Sequence, residues 1–384
     1  VPACVVIAEK GETKEIEYPL MGQTLSGKLE RKNASLTEAE KRLAVEDVEF
    51  SLHMRGKRSF WTTEKDMGAK GASFYKKHFA QGATIVPRSF WFVRVKPSPL
   101  GFNPHLPPLE TDPRAIEEAK AAYQDVKLEG NVESQFLYAT LLSTDLLPFG
   151  HLDYRLVVLP IELQGDHYKL IDANEARKSG FLHLARWLEK VGEEWVKRRG
   201  EKVTQMTIYE RLTRVHGLTR QNPHMKYKVV YNKSGTFLTS AVIETEPMEF
   251  SISEQHLSVH GFIADHNSYY YEVINNLEAS YLAAVLNAPI IDKLIKPMQS
   301  RGLWGPRDIH KKVLELPIPQ FDTTALTHQT LAELGEVCSA KVEHWLASGS
   351  AGNIKSIGRL RGMVREMLKD ELKEIDVLVK EILG

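Results

Sequence analysis

Cysteine is almost missing from this chain: Cys4 and Cys338 are its two cysteines in 384 residues, too far apart for a metal-ligand pattern. That usage excludes a disulfide framework and fits a reducing compartment. No apolar run approaches the ~18 residues that a membrane-spanning helix needs. The opening residues carry no signal-peptide pattern, so the expected location is the cytoplasm, with no membrane partner. Net charge is missing as well, because 50 Lys and Arg balance 50 Asp and Glu. Bulk charge therefore names no partner, and any signal must lie in its distribution. What is present is apolar material, 42% of the chain, enough for two or three cores.

The charge distribution is uneven. Between Met54 and Lys96, ten Lys and Arg face two acids, with Phe60, Trp61, Phe74, Tyr75, Phe79, Phe90, Trp91 and Phe92 interleaved. Between Lys197 and Lys233, ten again face two. The stretch from Lys296 to Gln320 then sets Lys296, Arg301, Arg307, His310, Lys311 and Lys312 against Asp308 and Glu315, around Trp304 and its neighbours Gly302, Gly305 and Pro306. Glycines let backbone approach a partner closely, and cations beside an aromatic suit a polyanion with stacked bases. The plainer alternative is a basic surface loop before an edge strand. The turn Lys233-Ser234-Gly235-Thr236 offers amides and a hydroxyl to a phosphate, or is an ordinary hairpin turn.

Periodicity and capping give the elements. Strands are expected at Val5–Glu9, Thr84–Val86, Phe90–Val95, Tyr154–Leu163, Tyr227–Tyr231 and within Gly261–Val273, and a strand with a turn at Val313–Pro319. Helices are expected over Leu36–Val48, from Pro113 to about Lys127, Ser134–Leu147, 174–199 and Leu277–Asn287, with apolar stripes along the tail. Phe90-Trp91-Phe92 reads as core. His256, His260 and His266 are too loosely spaced for a metal, and Asp370-Glu371-Leu372-Lys373 reads as the outer face of an amphipathic helix. Two halves can be read in one order: basic region, aromatic strand, helix (Phe136–Leu141, then Tyr281–Leu286), strand, long helix; the alternative is coincidence among common elements.

Several stretches carry a family resemblance: Lys296-Pro297-Met298-Gln299-Ser300-Arg301-Gly302-Leu303-Trp304-Gly305-Pro306-Arg307-Asp308-Ile309-His310-Lys311-Lys312 with Leu316-Pro317-Ile318-Pro319, then Gly82–Arg88 and Val229–Thr236. Here the chain resembles the C-terminal target-recognition part of adenine-specific DNA methyltransferases of type IIG restriction-modification systems. Its paired modules are similar to type I specificity subunits. The family's Gly-rich cofactor loop and NPPY-type catalytic loop have no match, since Asn222-Pro223-His224-Met225 lacks the second proline and the aromatic. The resemblance therefore implies no catalytic residue and no cofactor in this chain. S-adenosylmethionine and methyl transfer to a flipped adenine would belong to an upstream catalytic domain. Val1–Ile7 looks like the last strand of such a domain.

The expected fold is α+β: two mixed β modules of target-recognition type with long spacer helices, after a remnant strand of a methyltransferase sheet. The expected divisions are 1–50 (remnant and connecting arm), 51–172 (first module), 173–200 (spacer helix), 201–322 (second module) and 323–384 (C-terminal helices). The expected partners are double-stranded DNA and the upstream catalytic domain. Candidate DNA-contacting residues are Arg55, Lys57, Arg58, Trp61, Lys76, Lys77, Arg88, Lys228, Lys233, Ser234, Thr236, Arg301, Trp304, Arg307, His310, Lys311 and Lys312. Arg58, Arg301 and Arg307 are the candidates to read guanine edges. The alternative reading is a clamp that docks a protein subunit without reading sequence.

Overall fold

The computed structural model describes the chain apart from residues 1–4, 8–15, 32, 56–57, 64–70, 201–203, 300, 303–304 and 353, and apart from the side chains of Arg55, Arg58, Arg301 and Pro306. The architecture is α+β. An antiparallel ribbon, Leu20–Gly27 with Leu43–Arg55 and Arg58–Thr62, opens it. A five-stranded sheet follows in the order Glu129–Asn131, Pro108–Thr111, Phe92–Val95, Arg155–Val158, Leu137–Thr140. A four-stranded sheet is ordered Ser240–Glu244, Tyr227–Asn232, Ser268–Val273, Ala80–Gln81. Its last strand comes from the segment assigned by sequence to the first module. The two sheets are joined through Ala139, which donates its N–H to Gly261 O and accepts from Ile263 N–H, both at 2.9 Å.

The strand Tyr227–Asn232 divides the interior. Successive side chains point to opposite faces. Val230 enters the core of the first sheet, with Phe90, Trp91, Leu156 and Trp187. Val229 and Tyr231 enter a second core built with Tyr281, Leu282 and the C-terminal helices. In that second core the helix Asn276–Asn287 is buried from Ala279 onward on every face. It runs against Leu326–Ala347, where Gly335 lets the backbones meet: a Cβ there would lie 2.3 Å from Ser280 O.

Several elements differ from the sequence reading. Leu137–Thr140 is a buried strand rather than part of a helix over Ser134–Leu147, so the correspondence with the helix at Tyr281–Leu286 fails at that step. The helix at Leu36 stops at Arg42 and turns directly into the strand Leu43–Arg55. The helix from Pro113 ends at Glu117. Phe90 and Trp91 close a helical turn, Arg88–Trp91, and the strand starts at Phe92. The strand over Tyr154–Leu163 is two strands, Arg155–Val158 and Ile161–Gln164, with Leu159-Pro160 between them. The long helix is two, Ala173–Lys178 and Leu182–Arg198, parted at Gly180, whose φ of +87° suits glycine. Its apolar face lies on the first core, with Trp187 Nε1 donating to Phe90 O at 3.2 Å. Residues 84–86 form no strand, and Lys312–Glu315 is a short 3₁₀ turn. Val5, Val6 and Ile7 are exposed and join no strand among the described residues; Val1–Cys4 lie outside them. Phe90, Trp91 and Phe92 are core, as read from the sequence.

Two predictions follow from packing and protonation. Gly335→Ala, by overpacking the helix crossing, should lower stability by about 1–3 kcal/mol in denaturant melts. Burial lowers the pKa of His151, which lies against Tyr154 with ring centroids 4.4 Å apart, and lowers His260 and His328 too. The unfolded chain takes up protons near the ordinary histidine range that the folded chain refuses, so stability falls as pH drops through about 6.5. The melting temperature should therefore be lower at about pH 5.5 than at about pH 7.5, and His151→Gln should narrow the gap.

Candidate nucleic-acid interface

The strand Tyr227–Asn232 ends where Ser268–Val273 begins and where Ala80–Gln81 stops, through the pairs Asn232↔Ser268 and Tyr269↔Gln81. Three connections therefore share one end of the second sheet: Lys233–Phe237, Asp265–Asn267 and Gly82–Ala83. Two further segments are tied to them. Gly235 N–H donates to Arg307 O (2.9 Å), and His310 N–H donates to Lys233 O (2.8 Å). The Lys233–Thr236 turn and the Arg307–Lys311 loop, which the sequence presents as separate motifs, thus form one surface. The loop Arg214–Arg220 reaches the same end, where a Cβ on Gly217 would lie 2.5 Å from Gly82 O.

The turn is held from below. Asn232, fully buried, accepts from Thr239 N–H at 2.8 Å and donates to the carbonyls of Ser234 and Phe237, both at 3.0 Å. Each such buried bond contributes about 1 kcal/mol net, more if an orphaned group would result. His310 has a φ of +43° and sits between Asp308 (Nε2 to Oδ1, 3.0 Å) and Tyr269. Tyr231 stacks on Tyr269 and donates its hydroxyl to His310 O at 2.9 Å. The loop is thereby anchored through the aromatic floor of the sheet.

The candidate residues separate into groups. Lys233, Ser234, Thr236, Arg307 and His310 are exposed or half-exposed at this end. Lys311 is beside them; its ammonium donates to Phe79 O at 2.7 Å and lies over the Tyr269 ring, and burial, then the nearby Arg220 charge, hold its pKa down. Lys76 and Lys77 lie on the short turn Phe74–Lys77, which packs across Lys312–Glu315; Lys76 pairs with Glu315 at 2.7 Å, while Lys77 is exposed. Trp61, 45% exposed, stands on the ribbon strand that lies near Lys296–Met298. Arg55 and Arg58 face each other across the ribbon's tip, Lys57 and Trp304 lie outside the described residues, and the Arg301 side chain is not described.

Two candidates, Lys228 and Lys312, leave the surface set, and Arg88 is part-buried and held in an ion pair. Lys228 is 1% exposed, because its strand is covered on both faces. Its ammonium donates to Gln221 Oε1 (2.9 Å) and Phe262 O (3.0 Å), and Glu272 lies at 3.5 Å. Burial lowers its pKa against the pull of Glu272, and burial raises the Glu272 carboxyl. Lys312 is buried and paired with Asp308. Arg88 pairs with Glu118, which also holds the buried Arg155, itself bidentate on Asp145 at 2.8 and 2.9 Å. These cations bind the interior together.

Arg214, His216, Arg220 and Phe237 belong to this surface although the candidate list omits them. Arg214 and Arg220 sit in a basic stretch, but only the fold brings Arg220 beside Lys311, while Arg214 lies by Arg211. Lys77, Arg214, Arg220, Lys233 and Arg307 make no ion pair with the described residues. Lys296 is tied to Asp292 at 3.2 Å and lies over the Phe237 ring, whose other neighbour is Arg365. The arrangement offers unspent positive charge, hydroxyls and amides on a stiff base, suited to phosphate oxygens and base edges. Among the described residues no three His, Cys, Asp or Glu gather as a metal site.

No protein-family model and no curated protein matches this chain. A solved structure does align with it. That structure, the type IIL restriction-modification enzyme MmeI in complex with DNA, is 10% identical with a TM-score of 0.45, over 94% of this chain and 38% of its own. The chain thus spans well under half the length of that neighbour.

Among the described residues the named strand pairs are antiparallel, and parallel bridging is confined to Ala83↔Asp265 and Ala139↔Phe262. A nucleoside cofactor is commonly seated at the switch point of a parallel sheet, and the described residues provide none.

Lys228→Ala should cost about 3–5 kcal/mol by leaving Glu272 buried without its cation. The loss is read as a fall in chemical-denaturation midpoint, which an exposed DNA-contacting lysine would not give.

Proposed function

We propose that this chain binds double-stranded DNA and selects the target sequence for an adenine-specific, S-adenosylmethionine-dependent methyltransferase of a restriction-modification system. The observation that carries the DNA-binding part is the convergence of Lys233, Arg307, His310, Lys311 and Arg220 from separate segments at one end of the second sheet, with exposed Ser234 and Thr236 between them. In a chain of zero net charge, such a local gathering of cations suits a polyanion. Methylation and its cofactor are carried by the sequence resemblance, and the methyl-transfer centre is assigned to a catalytic domain outside this chain. Lys77, Lys233 and Arg214 neutralise phosphates, and Arg307 is the described arginine placed to reach a guanine edge.

A second reading attaches to a different part of the molecule. The ribbon Leu20–Gly27/Leu43–Arg55 exposes Met21, Leu25, Val45, Leu52 and Met54 among Glu46, Asp47 and Glu49. Acid and apolar surface repel DNA and favour a protein partner. On this reading the face of Leu20–Gly27 and residues 43–54 would dock a protein, while the tip at Arg55 and Arg58 stays basic.

The test is duplex binding measured across a salt series. Affinity should fall steeply as salt rises, and Lys233→Ala and Arg307→Ala should each weaken binding several-fold and flatten the log–log slope by about one. Only Arg307→Ala should also relax sequence preference. Binding that is absent or insensitive to salt would leave the protein-clamp reading alone standing.

A further inference from the structure

The loop Arg214–Arg220 is built unlike the others. Its base is clamped. Gln221, fully buried, donates to Gly217 O (2.9 Å) and Ala264 O (3.1 Å) and accepts from Ala264 N–H (2.9 Å). Leu218 is fully buried, and Gly217 has no room for a side chain against Gly82 O. Thr213 and Thr219 join hydroxyls at 3.3 Å across the neck. Above this base the tip is open. Arg214, His216 and Arg220 are exposed, and Val215 is 70% exposed.

The tip is also strained. Val215 has a φ of +51° and His216 a φ of +58°. Left-handed backbone is rare for any side chain and a true outlier for a β-branched one. Such strain persists where the surrounding structure over-determines it, and it collects at functional sites. Here the fixed base forces the tip outward and holds a stiff apolar side chain in water among three basic groups. Val215 has no role in packing that would explain the conformation.

We infer that Val215 is a specificity-determining contact to a thymine methyl group in the major groove, presented by a loop whose Arg214, His216 and Arg220 hold the flanking phosphates. Cations bring the loop to a polyanion. Inside a duplex groove, the apolar group that a side chain meets without unstacking bases is the thymine 5-methyl. Valine is short and fixed at χ1, which suits touching an edge rather than wedging between bases. The loop stands on the same sheet end as Lys233 and Arg307. The inference rests on the DNA-binding reading above and adds to it a base and the residue that reads it.

The 384-residue chain would be used to enrich duplexes from a randomised pool, and each thymine of the enriched site would then be replaced by uracil. One replacement should weaken binding roughly fourfold, the worth of one buried methyl. Val215→Ala should bind the thymine and uracil duplexes equally, and Val215→Leu should keep the preference. Val215→Gly, which relieves the backbone, should raise the melting temperature and still lose the preference, an outcome that a purely structural role would not give. Enrichment without methyl dependence, or discrimination undiminished in Val215→Ala, overturns this assignment and leaves DNA binding intact. Failure to enrich any duplex overturns the DNA-binding reading and this inference with it.

Discussion

The structure depends on one strand covered on both faces. Tyr227–Asn232 gives Val230 to one core and Val229 and Tyr231 to the other, so neither core closes without it. A strand with no free face has nowhere to put a charge. Lys228 therefore carries its own partners, Gln221, Glu272 and the Phe262 carbonyl, between the rings of Phe262 and Tyr270. Gln221 in turn fixes the root of the Arg214–Arg220 loop. The same residue satisfies a buried cation and aims an exposed tip, which couples the interior to the surface.

The strand's end matters as much as its middle. Antiparallel pairing brings the start of one neighbour and the end of another to the point where Tyr227–Asn232 finishes. Connections from distant parts of the sequence must then meet there. Asn232 locks the first of them, and Tyr231 and Tyr269 lock the loop from Arg307 to Lys311. A stiff base under exposed cations lowers the ordering cost that binding would otherwise incur. The ribbon strands Leu20–Gly27 and Leu43–Arg55 carry exposed apolar side chains beside Glu46, Asp47 and Glu49, so the zero net charge of the chain conceals surfaces of different character.

Composition and spacing made part of this legible. The basic, aromatic-rich stretches, the α+β class, the helix near Leu277–Asn287 and the tail helices are all visible as pattern. Local pattern failed where long-range contacts decide. Phe136–Leu141 is an apolar run that suits a buried strand as well as a helix, and pairing with Arg155–Val158 settles it. Lys228 and Lys312 sit in basic stretches yet serve the interior, and Arg88 is held by Glu118, because no sequence window contains Glu272 beside Lys228 or Glu118 beside Arg88. Arg220 was countable as charge but became a neighbour of Lys311 only through strand order. Val215 left no compositional trace at all; its signal is a backbone angle.

The central claim is that duplex DNA lies across the end of the second sheet. Hydrogen exchange of the chain with and without a saturating duplex tests it most directly. The account predicts slowed exchange of the amides in 214–220, 232–237, 265–268 and 307–311, with the ribbon at 20–27 and 43–55 unchanged. Protection confined to the ribbon, or none at the sheet end, would contradict it.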